Sequence, residues 1–208
     1  MAKRLGIMGG TFNPIHNGHL FVADIARREL DLDEVRFIPT GDSPHKRHVD
    51  VSGWQRLDMV RLAIAGHEGF TASDMELRRG GRSYTCDTVR QLHMIEPGSK
   101  LFFIMGGDML ATFNTWRNPD WIVHWADIAA TPRPGDDGER IRSVCEYLRM
   151  EFTSEVHMLS QCGPDISSTE IRRRVCAGED ISMLVPPDVE KYILENGLYK
   201  ALETENDV

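Results

Sequence analysis

Cysteine is sparse and unpaired in this 208-residue sequence. Cys86, Cys145, Cys162 and Cys176 form no C-x-x-C pair, which removes the usual spacing of a thiol redox centre or zinc ribbon and predicts free thiols in a reduced, cytoplasmic setting. No apolar run approaches the roughly 18 to 20 residues that a membrane helix requires, so a soluble chain without a membrane partner is expected. The leading Met-Ala-Lys-Arg passes straight into apolar residues with no signal-type h-region. Basic charge is also short: 24 Lys and Arg against 32 Asp and Glu leave a net charge of −8. That balance argues against a general nucleic-acid surface, which needs concentrated cations, so any polyanion binding must be local. Two familiar phosphate motifs, G-x-x-x-x-G-K-[ST] and G-x-G-x-x-G, are absent. No Ser/Gly-rich or Pro-rich linker divides the chain. One domain over 1–200 with a polar tail at 201–208 is therefore expected.

What is present alternates. Apolar runs at 4–8, 34–39, 69–76, 100–106, 127–131 and 155–160 predict strands. Helical patterns cover 18–30, 53–66, 85–95, 108–116, 137–150, 168–177 and 187–196. The alternation predicts an α/β fold: one Rossmann-like, doubly wound, mostly parallel sheet with helices on both faces and a small C-terminal helical extension. In such sheets ligands bind outside the carboxyl ends of the strands, near the switch point. Trp54, Leu57, Met59, Val60, Leu62, Ala63 and Ile64 read as a core-facing helix surface, with Arg56 and Arg61 solvated or paired.

The stretch from Gly9 to Leu20, Gly-Gly-Thr-Phe-Asn-Pro-Ile-His-Asn-Gly-His-Leu, closes the first strand and opens the first helix. Paired glycines let backbone approach a ligand closely, and the helix start offers unsatisfied N–H groups at a positive dipole end. His16 and His19 are three apart and fall on one side of the turn, where both can reach one anionic ligand. Two ordinary histidines at an exposed helix start would look the same. A zinc pair lacks the glutamate of H-E-x-x-H.

The whole string resembles the H-x-G-H signature of the nucleotidyltransferase superfamily, in the extended form of the bacterial nicotinate mononucleotide adenylyltransferases. The resemblance implies transfer of the adenylyl group of ATP to nicotinate mononucleotide, with magnesium on the triphosphate and no metal ligands of the chain's own. His16, His19 and Arg172 would carry the charge of the transition state. Gly9, Gly10, Thr11 and Phe12 would hold ATP beside the two histidines. Further along, Pro39 to His48 resembles the family's Pro-Pro-His-Lys element, with Ser43 at a usual proline, and points to Lys46 as a phosphate contact. His45 and His48 are also three apart, though a loop gives a metal no fixed geometry.

Gly80 to Thr88 reads as a turn and a capping-rich helix start, with Ser83 or Thr85 as cap. It resembles the family's Ser-Tyr-Thr-x-Asp-Thr element, which would place Ser83, Tyr84 and Thr85 on the mononucleotide. The buried-strand pattern Leu101 to Met105 ends in Gly106-Gly107-Asp108. Asp108 could cap the next helix, accept ribose hydroxyls or hold magnesium through water, and the family's Gly-x-Asp favours nucleotide contact at Gly106 and Asp108. Trp116 resembles the aromatic that stacks on the pyridine ring, while Trp121 and Trp125 read as core. Arg133-Pro-Gly matches the family's Arg-Pro-Gly and adds Arg133 to the mononucleotide side. In Ile166-Ser167-Ser168-Thr169-Glu170-Ile171-Arg172, hydroxyls cap a helix and a guanidinium joins the same end, which makes a phosphate cradle; Arg173 and Arg174 read as surface charges. The family's triphosphate motif has this form.

Transferases acting on nicotinamide mononucleotide, phosphopantetheine or a cytidylyl acceptor share H-x-G-H. The Ser-Tyr-Thr element and Trp116 argue against the last two, and a catalytically silent nucleotide sensor is disfavoured by intact His16, His19, Lys46 and Arg172. The expected partners are the two small-molecule substrates, and the sequence is compatible with a homo-oligomer.

Overall fold

A computed structural model describes residues 2–41, 51–132, 137–152, 154 and 156–200. The alternating pattern resolves into β1 (Arg4–Gly10), α1 (Asn17–Glu29), β2 (Glu34–Pro39), α2 (Gly53–Ile64), β3 (Phe70–Ala72), α3 (Met75–Arg79), α4 (Thr85–Ile95), β4 (Lys100–Gly106), α5 (Gly107–Leu110), a 3-10 turn (Phe113–Thr115), α6 (Pro119–Trp125), β5 (Ala126–Thr131), α7 (Gly138–Phe152), β6 (Val156–Met158), α8 (Ser168–Ala177) and α9 (Pro187–Glu195). The strands form one parallel sheet in the order β3-β2-β1-β4-β5-β6. Chain direction across the sheet reverses between β1 and β4, and this is the switch point.

Both sheet faces are covered because both are apolar. Side chains alternate along a strand, so Leu5, Ile7, Leu101, Phe103, Met105, Ile128 and Ala130 point one way while Met8, Phe102, Ile104 and Ala129 point the other. The first set packs against Val89 and Leu92 of α4, Ile122 of α6 and Leu148 of α7. The second meets Ala23 and Ile25 of α1, Val60 of α2, Ile171 of α8 and Ile193 of α9. The C-terminal helices thus belong to the same layer as α1. Among the described residues, no helix is long and apolar enough to cross a membrane.

Some expected elements differ. The run 69–76 yields only β3, since Met75 and Glu76 already belong to α3; as the edge of the sheet, β3 has a single strand partner. The helix expected over 108–116 breaks into α5 and the 3-10 turn. There Thr112 and Thr115 hydroxyls donate to the carbonyls of Met109 and Thr112, offering the backbone an alternative to the α-helical ladder. Helix α6 lies where none was expected, started by Pro119 at its first turn. Trp54 and Trp121 are half exposed rather than core, whereas Trp125 packs against the α4–α7 layer.

Candidate active site

At the carboxyl ends of β1 and β4 the sheet opens into a cleft of about 440 Å³. Its walls include Gly9, Gly10, Thr11, Phe12, His16 and His19 from the first loop, Gly106 from β4, Ile166 and Ser168 from the start of α8, and Ser83 and Thr85 from the start of α4. Segments far apart in sequence therefore converge on one cavity. Asp108, Tyr84, Trp116, Ser167, Thr169 and Arg172 are not among the cleft walls. Lys46, with His45 and His48, and Arg133 lie outside the described residues.

The first loop is folded tightly. Phe12 takes a left-handed φ of 48° and buries its ring against Phe37 and the edge of His19. A side chain at Gly10 would place its Cβ 3.1 Å from the Phe12 ring, which explains the second glycine. His16, only 5% exposed, is the N-cap of α1, and its ring centroid is 3.7 Å from that of His19. The backbone N–H of His16 donates to Nδ1 of His19 at 3.2 Å. Gly18 is tightly placed too: a Cβ there would stand 3.0 Å from His16 Nδ1, and the ring would have to give by a few tenths of an ångström. The glycine of H-x-G-H thus leaves the His16 ring packed close against the start of α1.

The C-terminal helices clasp this loop from outside. Arg172 donates through Nη1 to the Asn13 carbonyl at 2.7 Å and through Nη2 to Thr169 Oγ1 at 3.2 Å. Ser168 Oγ donates to the Pro14 carbonyl, and the Tyr199 hydroxyl donates to Asn13 Oδ1 at 2.7 Å. Asn17 ties the start of α1 to the carbonyls of Met183 and Leu184. Ser167 caps α8 by accepting from the Glu170 N–H. Arg173 and Arg174 pair with Glu170 on the surface, as expected of solvated charges.

On the opposite wall, α4 begins at Thr85 with Tyr84 as its N-cap, and no side chain caps it. The expected capping by Ser83 or Thr85 is not what is seen. Ser83 Oγ instead accepts the N–H of Gly41 at 3.0 Å and binds the loop leaving β2 to the start of α4. Arg117 stacks its guanidinium 4.3 Å over the Tyr84 ring; hydrogen bonds from Arg82 and Arg117 lower the phenol below its ordinary pKa. Trp116 meets the edge of Phe103, itself a cleft wall, at 6.0 Å between centroids. Asp108 stands exposed in the first turn of α5.

Two charged residues near the cleft escaped the sequence reading. Glu76, 4% exposed, lines the cleft; its Oε1 accepts from Thr88 Oγ1 at 2.5 Å while its buried Oε2 has no hydrogen-bond partner. Arg56, expected to be solvated or paired at the surface, is 2% exposed and donates to the carbonyls of Thr11 and Thr40. A signal for Arg56 existed: it lies on the helical face of Leu57, Val60, Ala63 and Ile64, where an exposed arginine does not belong. Arg61, by contrast, makes the exposed pair with Asp58 that the sequence suggests.

Residues 7–174 match the Cytidylyltransferase-like family. A relative from Desulfitobacterium hafniense (strain DSM 10664 / DCB-2), named as a probable nicotinate-nucleotide adenylyltransferase, is 42% identical over 200 residues, spanning 95% of this chain and 96% of the relative. One from Citrifermentans bemidjiense with the same name is 43% identical over 214 residues, spanning 94% and 98%. Among solved structures, the Plasmodium falciparum nicotinic acid mononucleotide adenylyltransferase complexed with NaAD superposes with a TM-score of 0.77 at 19% identity, covering 95% of this chain and 97% of that one. At that identity the likeness speaks for the fold.

Proposed function

Since the chain belongs to the cytidylyltransferase-like family and groups with nicotinate-nucleotide adenylyltransferases, we propose from that premise how its cleft works as an enzyme of NAD biosynthesis. The reaction joins the 5′-phosphate of nicotinate mononucleotide to the α-phosphate of ATP. An oxygen of the mononucleotide phosphate attacks the α-phosphorus in line, the bond to the bridging oxygen breaks, and nicotinate adenine dinucleotide and pyrophosphate result. No protein nucleophile takes part, so the chain contributes positioning and electrostatic stabilisation.

The observation that carries this reading is the convergence of His16, His19, the paired glycines and the start of α8 on one cleft at the switch point. His16 and His19 are the catalytic donors. With Nδ1 of His19 accepting the His16 N–H, a neutral His19 ring keeps its proton on Nε2, a donor for a phosphate oxygen. The start of α1 adds its dipole. Gly9, Gly10, Thr11, Phe12, Gly106, Ile166 and Ser168 line the ATP side, to which the family's motifs also assign Asp108, Ser167 and Thr169. Arg172 enters as the residue that fixes the Asn13 turn in front of His16 and brings a cation to the triphosphate. Ser83 and Thr85 line the mononucleotide side, to which the family's motifs also assign Tyr84, Trp116, Lys46 and Arg133. Donor N–H groups at the start of α4 favour a ring carboxylate over a carboxamide.

Magnesium would arrive with ATP and neutralise charge on its phosphates. The ion would take most of its oxygens from triphosphate and water, as magnesium on phosphates commonly does. The free cysteines support a cytoplasmic location.

A pyrophosphate-release assay with ATP and each mononucleotide in turn tests the reading. We expect release that depends on nicotinate mononucleotide and exceeds that with nicotinamide mononucleotide by roughly 10²-fold in kcat/KM. Equal use of both would remove the carboxylate preference, and no release with either would remove the activity.

A further inference from the structure

The β1–β2 ladder ends where the phosphates would lie. Register pairing stops at Gly10 with Pro39, and the last rung is the Thr40 N–H donating to the Gly10 carbonyl at 2.9 Å. Beyond it the strands part: β1 turns into Phe12 with its positive φ, and β2 leaves through Thr40 and Gly41. The next two carbonyls, Thr11 and Thr40, cannot pair with each other because both only accept. One guanidinium takes both. Arg56 Nη1 donates to Thr11 at 2.5 Å and Nη2 to Thr40 at 2.7 Å.

The anchor itself is fixed. Arg56 lies one turn into α2, where Ser52 and Gln55 form a reciprocal capping box and the Arg56 N–H donates to the Ser52 carbonyl at 3.0 Å. Leu57, Met59 and Val60, all at 0% exposure, dock the same helix onto the sheet. Arg56 is thus a rigid two-pronged spacer projecting from the scaffold, and the fork geometry is one that lysine does not offer. Thr11 and Thr40 line the cleft, while Arg56 does not touch it.

We propose that Arg56 is a positioning residue that sets the distance between the ATP loop at Gly9–Phe12 and the mononucleotide-side loop leaving β2 at Thr40–Gly41. The inference rests on the adenylyl-transfer reading above. In that reaction the attacking oxygen and the α-phosphorus must come within about 3 to 3.5 Å before reaction, and an ångström of slack costs on the order of 10²-fold in rate. A spacer of this kind governs kcat. It leaves each substrate its own contacts, so affinities for ATP and mononucleotide taken singly change little.

R56K keeps the charge and loses the fork; R56Q keeps one donor and loses the charge. Steady-state kinetics, calorimetric ATP binding without mononucleotide, a thermal melt and amide hydrogen exchange are measured on both against the wild type. The expected result for R56K is a kcat lowered by roughly 10²-fold, both KM values and the ATP affinity within about threefold of wild type, and faster exchange at Phe12 and Gly41 together without faster exchange in α2. R56Q should follow R56K. A wild-type kcat in R56K, or a loss confined to KM, overturns the proposal, as does unchanged exchange at the two loops. Failure of R56K to fold also overturns it, by making Arg56 a determinant of the fold. Should the wild type itself release no pyrophosphate, the activity is what fails, and the exchange measurement still decides the spacer.

Discussion

His19 Nδ1 is committed to the backbone of His16, so the two histidines of the motif are not equivalent. His16 is buried beneath Gly18, and His19 is partly buried on the cleft wall, its Nδ1 already accepting from the His16 backbone. Replacing either with alanine removes a donor whose hydrogen bond strengthens as charge builds on the transferring phosphates. We expect kcat to fall on the order of 10²-fold or more, with a smaller change in ATP affinity. Turnover near the wild-type rate in either variant would take that histidine out of the mechanism.

Gly18→Ala tests the packing of the first ring without removing any donor. The added Cβ would lie 3.0 Å from His16 Nδ1 and 3.2 Å from Cε1, closer than ordinary contact, and the ring must shift by a few tenths of an ångström. A loss of about tenfold in kcat is expected from that displacement, with the melting temperature little changed. An active, unaltered G18A would show that the ring has slack.

Glu76 places a buried carboxylate against the hydroxyl of Thr88, near the start of α4, on the wall that should receive the substrate's carboxylate. E76Q keeps an acceptor for Thr88 and removes negative charge near the N-terminus of α4. The preference for nicotinate over nicotinamide mononucleotide should rise by roughly three- to tenfold, the scale of a charge at a helix end. E76A should instead lose about 1 to 3 kcal/mol of stability, because Thr88 loses its short bond to Glu76 and keeps only the longer one to the Tyr84 carbonyl. Substrate competition and chemical denaturation read the two effects separately, and an unchanged preference in E76Q would detach Glu76 from specificity.

At the other end of the sheet, Glu34 accepts from Lys3 at 2.7 Å, Arg36 at 2.8 Å and Thr71 at 2.5 Å. Burial works to raise its pKa, but the hydrogen bonds from Arg36, Lys3 and Thr71 outweigh burial and bring it from 4.5 to about 2. A carboxyl whose pKa is lower in the folded state contributes stability that is fully present above 4.5 and lost as pH falls towards 2. E34Q should therefore be less stable than wild type at pH 7, and the gap should close across that window. Melting curves at neutral and acid pH that stay parallel would contradict the assignment.

The first strand, turn and helix were legible because their signal is local: a short apolar run, glycines, and histidines at helical spacing all lie within a dozen residues. The two-faced sheet was legible for a similar reason, since Leu101 to Met105 is apolar at every position and so must be covered on both sides. What escaped depends on contacts between distant segments. Arg56 and Glu76 are buried by partners that no spacing announces, namely the ends of β1 and β2 for one and α4 for the other. The breakdown of the expected helix at 108–116 turned on Thr112 and Thr115 hydroxyls choosing backbone carbonyls, a competition that propensity alone does not decide. The role of Ser83 differed likewise: its partner is Gly41, on the loop leaving β2, rather than its own helix.

The Tyr199 hydroxyl reaches back 186 positions to the Asn13 side chain, and Arg172 spans 159 to the Asn13 carbonyl. A chain is made from its amino end at about 5 to 20 residues per second, so the first loop waits on the order of ten seconds or more on the ribosome before its clasp exists. During that interval β1 can find β2 and β4 and Arg56 can hold Thr11, but the turn at Asn13 lacks its bonds from Arg172 and Tyr199. Nucleotide binding at the first loop should consequently appear late, once Arg172 and Tyr199 can both fold back onto Asn13.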